Sequence, residues 1–294
     1  MEKINGEVWQ KVADYWAKAM PPARPNDEEL GFYEKYLVEK INESFGVVKV
    51  LLLGSTPEIR DMVLGFGDNV ELVVCDANIE MILAMSSLMK SKEMSSKELW
   101  LKCSWLDIPI EKEYFDIIFG DAVMHNLPLE LHLKFLEKQG SLLKKGGFFV
   151  QRMTQIGEIK KISCREMFEI FKQDISNDWA PVEILLSAFY LSSNNQKASL
   201  KRTKEWLGDF WDSQKNVVVS GDVWIDGVFN HEFCLGWFGG SGQTIDYPSV
   251  SREVNEVNFR KYFEIVEYSH SEVLKSKPSG IILGEYLPMY CLKK

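Results

Sequence analysis

At the start of the chain, apolar residues recur every three or four positions, which is the pattern of amphipathic helices. The first such stretch covers residues 6–19 and stops at a pair of prolines. The second begins after Asn26, a favourable helix N-cap, and Glu29 lies three residues further on, as in a capping box. The pattern therefore predicts N-terminal helices within residues 1–45.

After these helices the chain changes to short, almost wholly apolar runs rich in β-branched residues. Such runs are typical of strands that are covered on both faces. They lie at 47–53, 70–75, 99–103, 115–119 and 147–151. Helical periodicity separates most of them, most clearly at 78–92 and 129–144. Strands that alternate with helices predict a parallel sheet with helices on both faces.

Beyond the fifth run the alternation lapses. Residues 154–259 contain helix-like segments rich in tryptophan, and strand character returns at 262–269 and 280–292. We therefore predict an α/β core made of residues 46–153 and 260–294. A mainly helical insertion over 154–259 interrupts it after the fifth strand.

Composition and charge limit the classes of function. The chain has 294 residues, of which 46% are hydrophobic and 26% are charged, as in ordinary globular proteins. Its net charge of −9 makes nucleic acid an unfavourable partner, because a protein that neutralises phosphates needs positive charge. No apolar run is long enough to span a bilayer. Scattered cysteines and the lack of a secretion signal in the first residues predict a cytoplasmic protein.

The segment 48–78 contains the candidate ligand site. Its two strands end at Gly54 and Asp76, and ligands of open parallel sheets bind beyond the carboxyl ends of the strands. An acid at the second strand end can accept hydrogen bonds from ribose hydroxyls, although a solvated acid is the alternative. A dinucleotide fingerprint would need glycine where this chain has Thr56 and Ile59. Because the loop lacks the glycines that let a backbone approach a pyrophosphate, a nucleoside without phosphates is favoured over nicotinamide or flavin cofactors.

Several segments occur in the order and spacing of one known family. They are GSTPE at 54–58, WAKAMPPARPNDEEL at 16–30, CSWLDIPIEKEYFDIIFGDAVMHNLP at 103–128, LLKKGGFFVQRM at 142–153 and GQTIDYPS at 242–249. Together they resemble the class I S-adenosylmethionine-dependent methyltransferases, in particular a bacterial and archaeal group with a G-x-T-P-E loop. The resemblance covers most of the chain and is strongest from 45 to 153.

The resemblance implies a fold and an activity. The fold would be a Rossmann-like sheet of seven mostly parallel strands with N-terminal helices. The insertion after strand 5 would form a lid over the substrate that also packs; a subsidiary core without a lid role is the alternative. The cofactor would be S-adenosylmethionine, with S-adenosylhomocysteine as the product. The methyl group would go to an oxygen, nitrogen or carbon nucleophile of a small molecule or a peptide.

The resemblance also implies which residues bind the methionine and ribose parts of the cofactor. The methionine part would lie against Gly54, Ser55 and Thr56, and Asp76 would bind the ribose. Asp121, which ends the fourth strand, would face the sulfonium, where a negative charge suits a cation. A solvated loop acid is the alternative for Asp121.

Four further positions would surround the adenine. Ala77 and Met81 would lie beside it, and Ser104 and Trp105 would lie at its edge. Ser104 departs from the family, because a hydroxyl stands where a carboxylate is usual. Core packing is the alternative role for Trp105.

For catalysis, His125 corresponds to the first histidine of the family's L-H-H-L motif, and Asn126 replaces the second. A histidine of ordinary pKa can take a proton from a hydroxyl or an ammonium at neutral pH. We therefore predict that His125 is the base and Asp121 its electrostatic partner; the alternative is a structural histidine. Ala122 stands where the family usually has glycine, a minor change unless the backbone needs a positive φ.

Two other functions stay open. The departures from the family motifs allow a module that binds S-adenosylmethionine without transferring its methyl group. A nucleotide-dependent oxidoreductase can use the same type of sheet. The histidines lack neighbours with ligand spacing, so no metal site is predicted.

Overall fold

The computed structural model describes residues 14–155, 161–193, 198–239 and 250–294, which form two compact units. The sheet unit comprises Pro25–Thr154, Arg252–His270 and Leu287–Lys294. The helical unit contains the described residues of Met1–Arg24, Gln155–Ser251 and Ser271–Tyr286. These units are groups of residues that pack together, so the predicted division into domains stays a prediction.

A seven-stranded sheet forms the centre of the sheet unit. Its strands are β1 (Val48–Leu53), β2 (Val70–Asp76), β3 (Leu99–Lys102), β4 (Phe115–Asp121), β5 (Leu143–Arg152), β8 (Glu264–Ser269) and β9 (Met289–Lys293). Their order is β3-β2-β1-β4-β5-β9-β8. The first five strands pair in parallel, and β9 runs antiparallel to both of its neighbours. This confirms the predicted Rossmann-like sheet of seven mostly parallel strands.

Alternating side chains of the central strands enter two separate cores, one on each face of the sheet. In β1, for example, Val50 and Leu52 belong to one core, and Leu51 and Leu53 belong to the other. All four side chains are fully buried. A strand with both faces covered must be apolar at every position, which explains the continuous run VKVLLL in the sequence.

Helices cover both faces of this sheet. They are α1 (Asp27–Glu43), α2 (Pro57–Leu64), α3 (Ile79–Ser86), α4 (His132–Leu142) and α10 (Arg252–Phe259). The first three contribute Tyr33, Ile59 and Ile82 to the core that contains Leu52. The last two contribute Phe135 and Phe259 to the core that contains Leu51. The sheet is thus sandwiched between two helical layers.

The predicted capping box at the start of α1 is confirmed. Asn26 Oδ1 accepts a hydrogen bond from the Glu29 amide at 2.9 Å, and Glu29 Oε2 accepts one from the Asn26 amide at 2.8 Å. Both residues are buried. The box therefore fixes the position of the Glu29 carboxylate as well as the start of the helix.

The helical unit agrees with the mainly helical character predicted for most of its sequence. Its elements are α5 (Cys164–Phe171), α6 (Ala180–Ser193), α7 (Leu200–Leu207), the short strands β6 (Trp211–Asp212) and β7 (Val217–Val218), α8 (Val223–Phe229), α9 (Glu232–Gly239), α11 (Glu272–Ser276) and α12 (Pro278–Leu283). None of the described helices is long and apolar enough to cross a membrane.

The strand predicted over 280–292 is wrong in its first part. Pro278 begins α12, which ends where Gly284 adopts a φ of +66°, and only Met289–Lys293 forms a strand. A short apolar run such as GIIL does not distinguish a strand from a buried helix, because both need apolar residues throughout.

Two predicted features lie partly or wholly outside the described residues. Of the helix predicted over 6–19, residues 14–16 are helical and 6–13 are not described. The GQTIDYPS segment at 242–249 lies wholly outside the described residues.

We predict that Asn26→Ala destabilises the protein by about 1 kcal/mol, because the first turn of α1 loses an N-cap. For a chain of this size the melting temperature should fall by about 2–4 °C. Asn69→Ala, at an exposed turn, is the matched control and should change it by less. Equal effects of the two substitutions in thermal unfolding would contradict the importance of the cap.

Candidate functional site

The strand order reverses between β1 and β4, which creates a crevice at the carboxyl edge of the sheet. Open α/β sheets bind ligands at this point, because the chain leaves the two strands toward opposite faces. Gly54 follows β1, and Asp76, Asp121 and Arg152 are the last residues of β2, β4 and β5. The fold thus gathers at one edge residues that are far apart in the sequence.

The loop after β1 is held tightly against β2. The Gly54 amide donates to the Cys75 carbonyl at 2.9 Å, and Gly54 has a φ of +83°, which favours glycine. Ser55 is only 4% exposed, and its hydroxyl has no hydrogen-bond partner within the described structure. A buried unsatisfied hydroxyl costs about 1–3 kcal/mol. This loop is therefore suited to a ligand that supplies the missing hydrogen bond.

Asp76 is a partly buried carboxylate at the end of β2. It accepts a hydrogen bond from the Asn78 amide at 2.8 Å. Burial raises its pKa to about 6, and the backbone amides of Asn78 and Ala77 partly oppose that rise. At pH 7 most of the molecules therefore carry a charged Asp76 in a poorly solvated position. Hydroxyl donors from a ligand would relieve this cost.

The predicted adenine-side residues lie around the ends of β2 and β3. Trp105 is half-buried, donates from Nε1 to the Cys75 carbonyl at 2.9 Å and packs edge-on against Phe135. The same carbonyl accepts the hydrogen bond from the Gly54 amide, so Trp105 and the loop after β1 are held at the same point of β2. Its predicted cofactor role and core packing are thus compatible.

The other three predicted adenine-side residues leave surface for a ligand. Ser104 is half-buried, and its hydroxyl accepts a hydrogen bond from the Leu106 amide at 3.2 Å. Ala77 is exposed, and Met81 is half-buried in the first turn of α3. Their contacts with a cofactor stay a prediction.

Asp121 is bound on both sides by side chains of the protein. Arg152 donates from Nε to Asp121 Oδ1 at 2.7 Å, and Thr56 donates from Oγ1 to Oδ2 at 3.2 Å. The Asp121 side chain is 4% exposed. The two strand ends are paired in register, which brings Arg152 beside Asp121. The alternative of a solvated loop acid is therefore wrong: Asp121 is a buried member of an ion pair.

Arg152 also reaches the first turn of α1. Its Nη1 lies 3.2 Å from Glu29 Oε2, and both side chains are 1% exposed. Tyr33, one turn further along α1, donates to the Gly120 carbonyl at 2.7 Å and accepts from the Arg152 amide at 2.9 Å. We call Glu29, Arg152 and Asp121 the buried charge cluster.

Sequence reasoning missed this cluster. Glu29 was expected only as a helix cap, and Arg152 and Tyr33 were not singled out. One signal was present: an arginine at the end of the apolar run GGFFVQR is costly to bury unless a carboxylate pairs with it.

His125 lies in the short turn Met124–Asn126 that follows β4. Burial, together with the positive charge of Arg152 and the neighbouring His132, lowers its pKa to about 3. The imidazole is therefore neutral at pH 7, but its low proton affinity makes it a weak base in this environment. The role of His125 as the base stays a prediction, which this pKa does not favour.

A strained residue lies just before the turn that carries His125. Ala122 has a φ of +51°, its amide donates to the Arg152 carbonyl at 2.8 Å, and its carbonyl accepts from Asn126 Nδ2 at 3.1 Å. A left-handed alanine costs about 1–2 kcal/mol. The departure from glycine at this position is therefore not minor.

Comparison with known proteins supports the fold. No family model matches the chain, and no curated protein matches it. A provisionally named Zn-dependent alcohol dehydrogenase from Rhodobacter sphaeroides superposes with a TM-score of 0.57 at 10% identity over 100% of both chains. The Burkholderia thailandensis 1,6-didemethyltoxoflavin-N1-methyltransferase, solved with its substrate and S-adenosylhomocysteine, gives 0.52 at 10% identity over 98% of this chain and 84% of that one.

A third similar structure is the 4+2 cyclase SpnF, with a TM-score of 0.51 at 8% identity over 98% of this chain and 94% of that one. The three proteins are named for three different chemistries. Their likeness therefore establishes the fold and not the activity, which depends on the residues of the site.

We predict that Asp76→Asn stabilises the ligand-free protein at pH 7. The folded pKa of Asp76 exceeds its unfolded value of ~3.9, so the folded state loses stability as the pH rises from about 4 to 6. Asparagine removes this penalty and should raise the free energy of unfolding at pH 7 by about 1–2 kcal/mol.

Urea unfolding at pH 4, 5.5 and 7 checks this prediction. The gain should shrink toward pH 4, and the exposed control Asp68→Asn should stay within about 0.5 kcal/mol of the wild type. A destabilised Asp76→Asn at pH 7 would show that the ionised carboxylate is well solvated.

Proposed function

We propose that the chain is an S-adenosylmethionine-dependent methyltransferase of the group with a G-x-T-P-E loop. It would transfer the methyl group to an oxygen, nitrogen or carbon nucleophile of a small molecule or a peptide. The observation that carries the proposal is the pairing of Asp76 with the loop at Gly54–Thr56. Asp76 can accept hydrogen bonds from a ribose, and the buried Ser55 hydroxyl has no partner in the described structure. The loop also lacks the glycines that a pyrophosphate needs.

The residues at the carboxyl edge of the sheet fit the proposed cofactor in charge and in hydrogen-bonding groups. Asp76 would accept from the ribose hydroxyls, and Ser55 would gain its missing partner from the amino-acid part. The buried charge cluster has two carboxylates and one guanidinium, which suits a cation. The toxoflavin methyltransferase, which has the same fold, was solved with S-adenosylhomocysteine bound.

The bound cofactor supplies an activated methyl group on a sulfonium. The protein then has to hold a nucleophile in line with that group and to exclude water, and such positioning can lower the barrier by several kcal/mol. Ala122, held in a left-handed conformation, connects Asp121 at the end of β4 to the turn that carries His125. A neutral imidazole there can orient an acceptor by hydrogen bonding, even where it is a weak base.

A non-catalytic module that binds the same cofactor is the second candidate. The low pKa of His125 favours it, because the predicted base is weak. An oxidoreductase is less well supported, since Thr56 and Ile59 stand where a dinucleotide fingerprint has glycines. The enzyme and the module differ in one measurable property, which is transfer of the methyl group to an acceptor.

We further propose that the protein is cytoplasmic and does not act on nucleic acid. All five cysteines lie in the described part of the chain and are free thiols there, as is usual in a reducing compartment. The net charge of −9 opposes binding to a polyanion.

We predict that saturating S-adenosylhomocysteine raises the melting temperature of the wild type. A ligand at about a hundred times its dissociation constant adds ~2.7 kcal/mol, which is several degrees for this chain. Asp76→Ala should lose most of the shift, and the control Asp68→Ala should keep it. A shift with NADH and none with S-adenosylhomocysteine would contradict the proposal.

Once binding is shown, labelled S-adenosylmethionine and a panel of small-molecule acceptors separate the two candidates. Transfer that His125→Ala slows without weakening S-adenosylhomocysteine binding supports the enzyme. Tight binding with no transfer to any acceptor favours the module.

A further inference from the structure

Glu29 connects the N-terminal helix to the carboxyl edge of the sheet. Its Oε2 accepts from the Asn26 amide at 2.8 Å and lies 3.2 Å from Arg152 Nη1. Its Oε1 is buried and has no hydrogen-bond partner in the described structure. A carboxylate that served only as a helix cap would not need to be buried against an arginine of β5.

Among the described residues, the buried charge cluster has more negative than positive charge. Arg152 is the one cation among its three described members, and it is shared by Glu29 and Asp121. Tyr33 stays neutral, because burial raises its pKa well above the usual value. His125, which also feels Arg152, stays neutral because its pKa is lowered to about 3. Burial raises the pKa of Glu29, and the positive charge of Arg152 opposes that rise. With both carboxylates ionised, the described groups sum to one negative charge.

We propose that Glu29 determines the preference of this site for a cationic ligand over its neutral counterpart. The proposal rests on the proposed function, in which the two ligands are S-adenosylmethionine and S-adenosylhomocysteine. Glu29 acts as a positioning residue. Its negative charge neutralises that of Arg152, so that the negative charge of Asp121 can attract a cationic ligand in the crevice. Without Glu29, the pair of Arg152 and Asp121 would be neutral.

This arrangement has a consequence for turnover. Methyl transfer removes the positive charge of the sulfonium, so the product loses the attraction that the cofactor has to the cluster. The side chains of the cluster are at most 4% exposed, and solvent screens charge weakly there. The fixed negative charge of Glu29 thus favours both binding of the cofactor and release of the product.

The test compares the dissociation constants of both ligands by isothermal titration calorimetry. Glu29→Gln keeps the size and the acceptor for the Asn26 amide but removes the charge. We expect it to weaken S-adenosylmethionine about 3- to 10-fold and S-adenosylhomocysteine less than about 2-fold. Glu34→Gln, an exposed residue of the same helix with the same charge change, should alter neither.

Glu29→Asp separates charge from shape. It keeps the negative charge while it disturbs the capping box, so the ratio of the two dissociation constants should match the wild type even if the protein is less stable. A fall of that ratio in Glu29→Asp overturns the proposal, including when Glu29→Gln does not fold.

The remaining outcomes are distinct. Equal weakening of both ligands by Glu29→Gln, or no change in either, shows a structural role and overturns the proposal. Failure of the wild type to bind either ligand instead contradicts the proposed function, because the proposal concerns only their ratio.

Discussion

The ion pairs of Arg152 join the parts of the molecule on which the candidate site depends. One guanidinium holds Asp121 at the end of β4 and Glu29 at the start of α1, and all three side chains are at most 4% exposed. Taking such charges out of water is costly, and a packed apolar cluster would often be as stable or more so. Removing one partner alone costs about 3–5 kcal/mol, because it leaves a buried charge unpaired. The cluster therefore fits a functional role better than a purely structural one.

Other groups at the carboxyl edge of the sheet also lower the stability of the ligand-free protein in a way that a bound ligand can offset. Asp76 is held ionised in a place that raises its pKa, Ser55 keeps a buried hydroxyl without a described partner, and Ala122 holds a strained backbone. Each feature costs the ligand-free protein stability. Each also lies at a strand end or in the loop that follows one. A ligand that satisfies them recovers part of this cost on binding, as expected of a preorganised site.

The sheet could be predicted from sequence because a strand covered on both faces has to be apolar throughout, as VKVLLL is. The run at 280–292 was mistaken in its first part because α12 is buried and apolar as well. The capping box was predictable because Asn26 and Glu29 act within one turn. Local patterns thus give the elements and their ends.

The chemistry of the site was less predictable, because it depends on tertiary contacts. Glu29 and Arg152 are 123 residues apart, so no local pattern connects them. The ordinary pKa assumed for His125 ignored burial, which becomes known only once the turn is packed. The strand-end acids could be listed from sequence, but their pairing and their net charge could not.

A crystal structure with S-adenosylhomocysteine tests the central claim most directly. The account predicts both ribose hydroxyls within hydrogen-bond distance of Asp76, the Ser55 hydroxyl bonded to the ligand, and the sulfur on the Asp121 side of the crevice. A ligand bound elsewhere, or one whose ribose leaves Asp76 in contact with solvent, would contradict it.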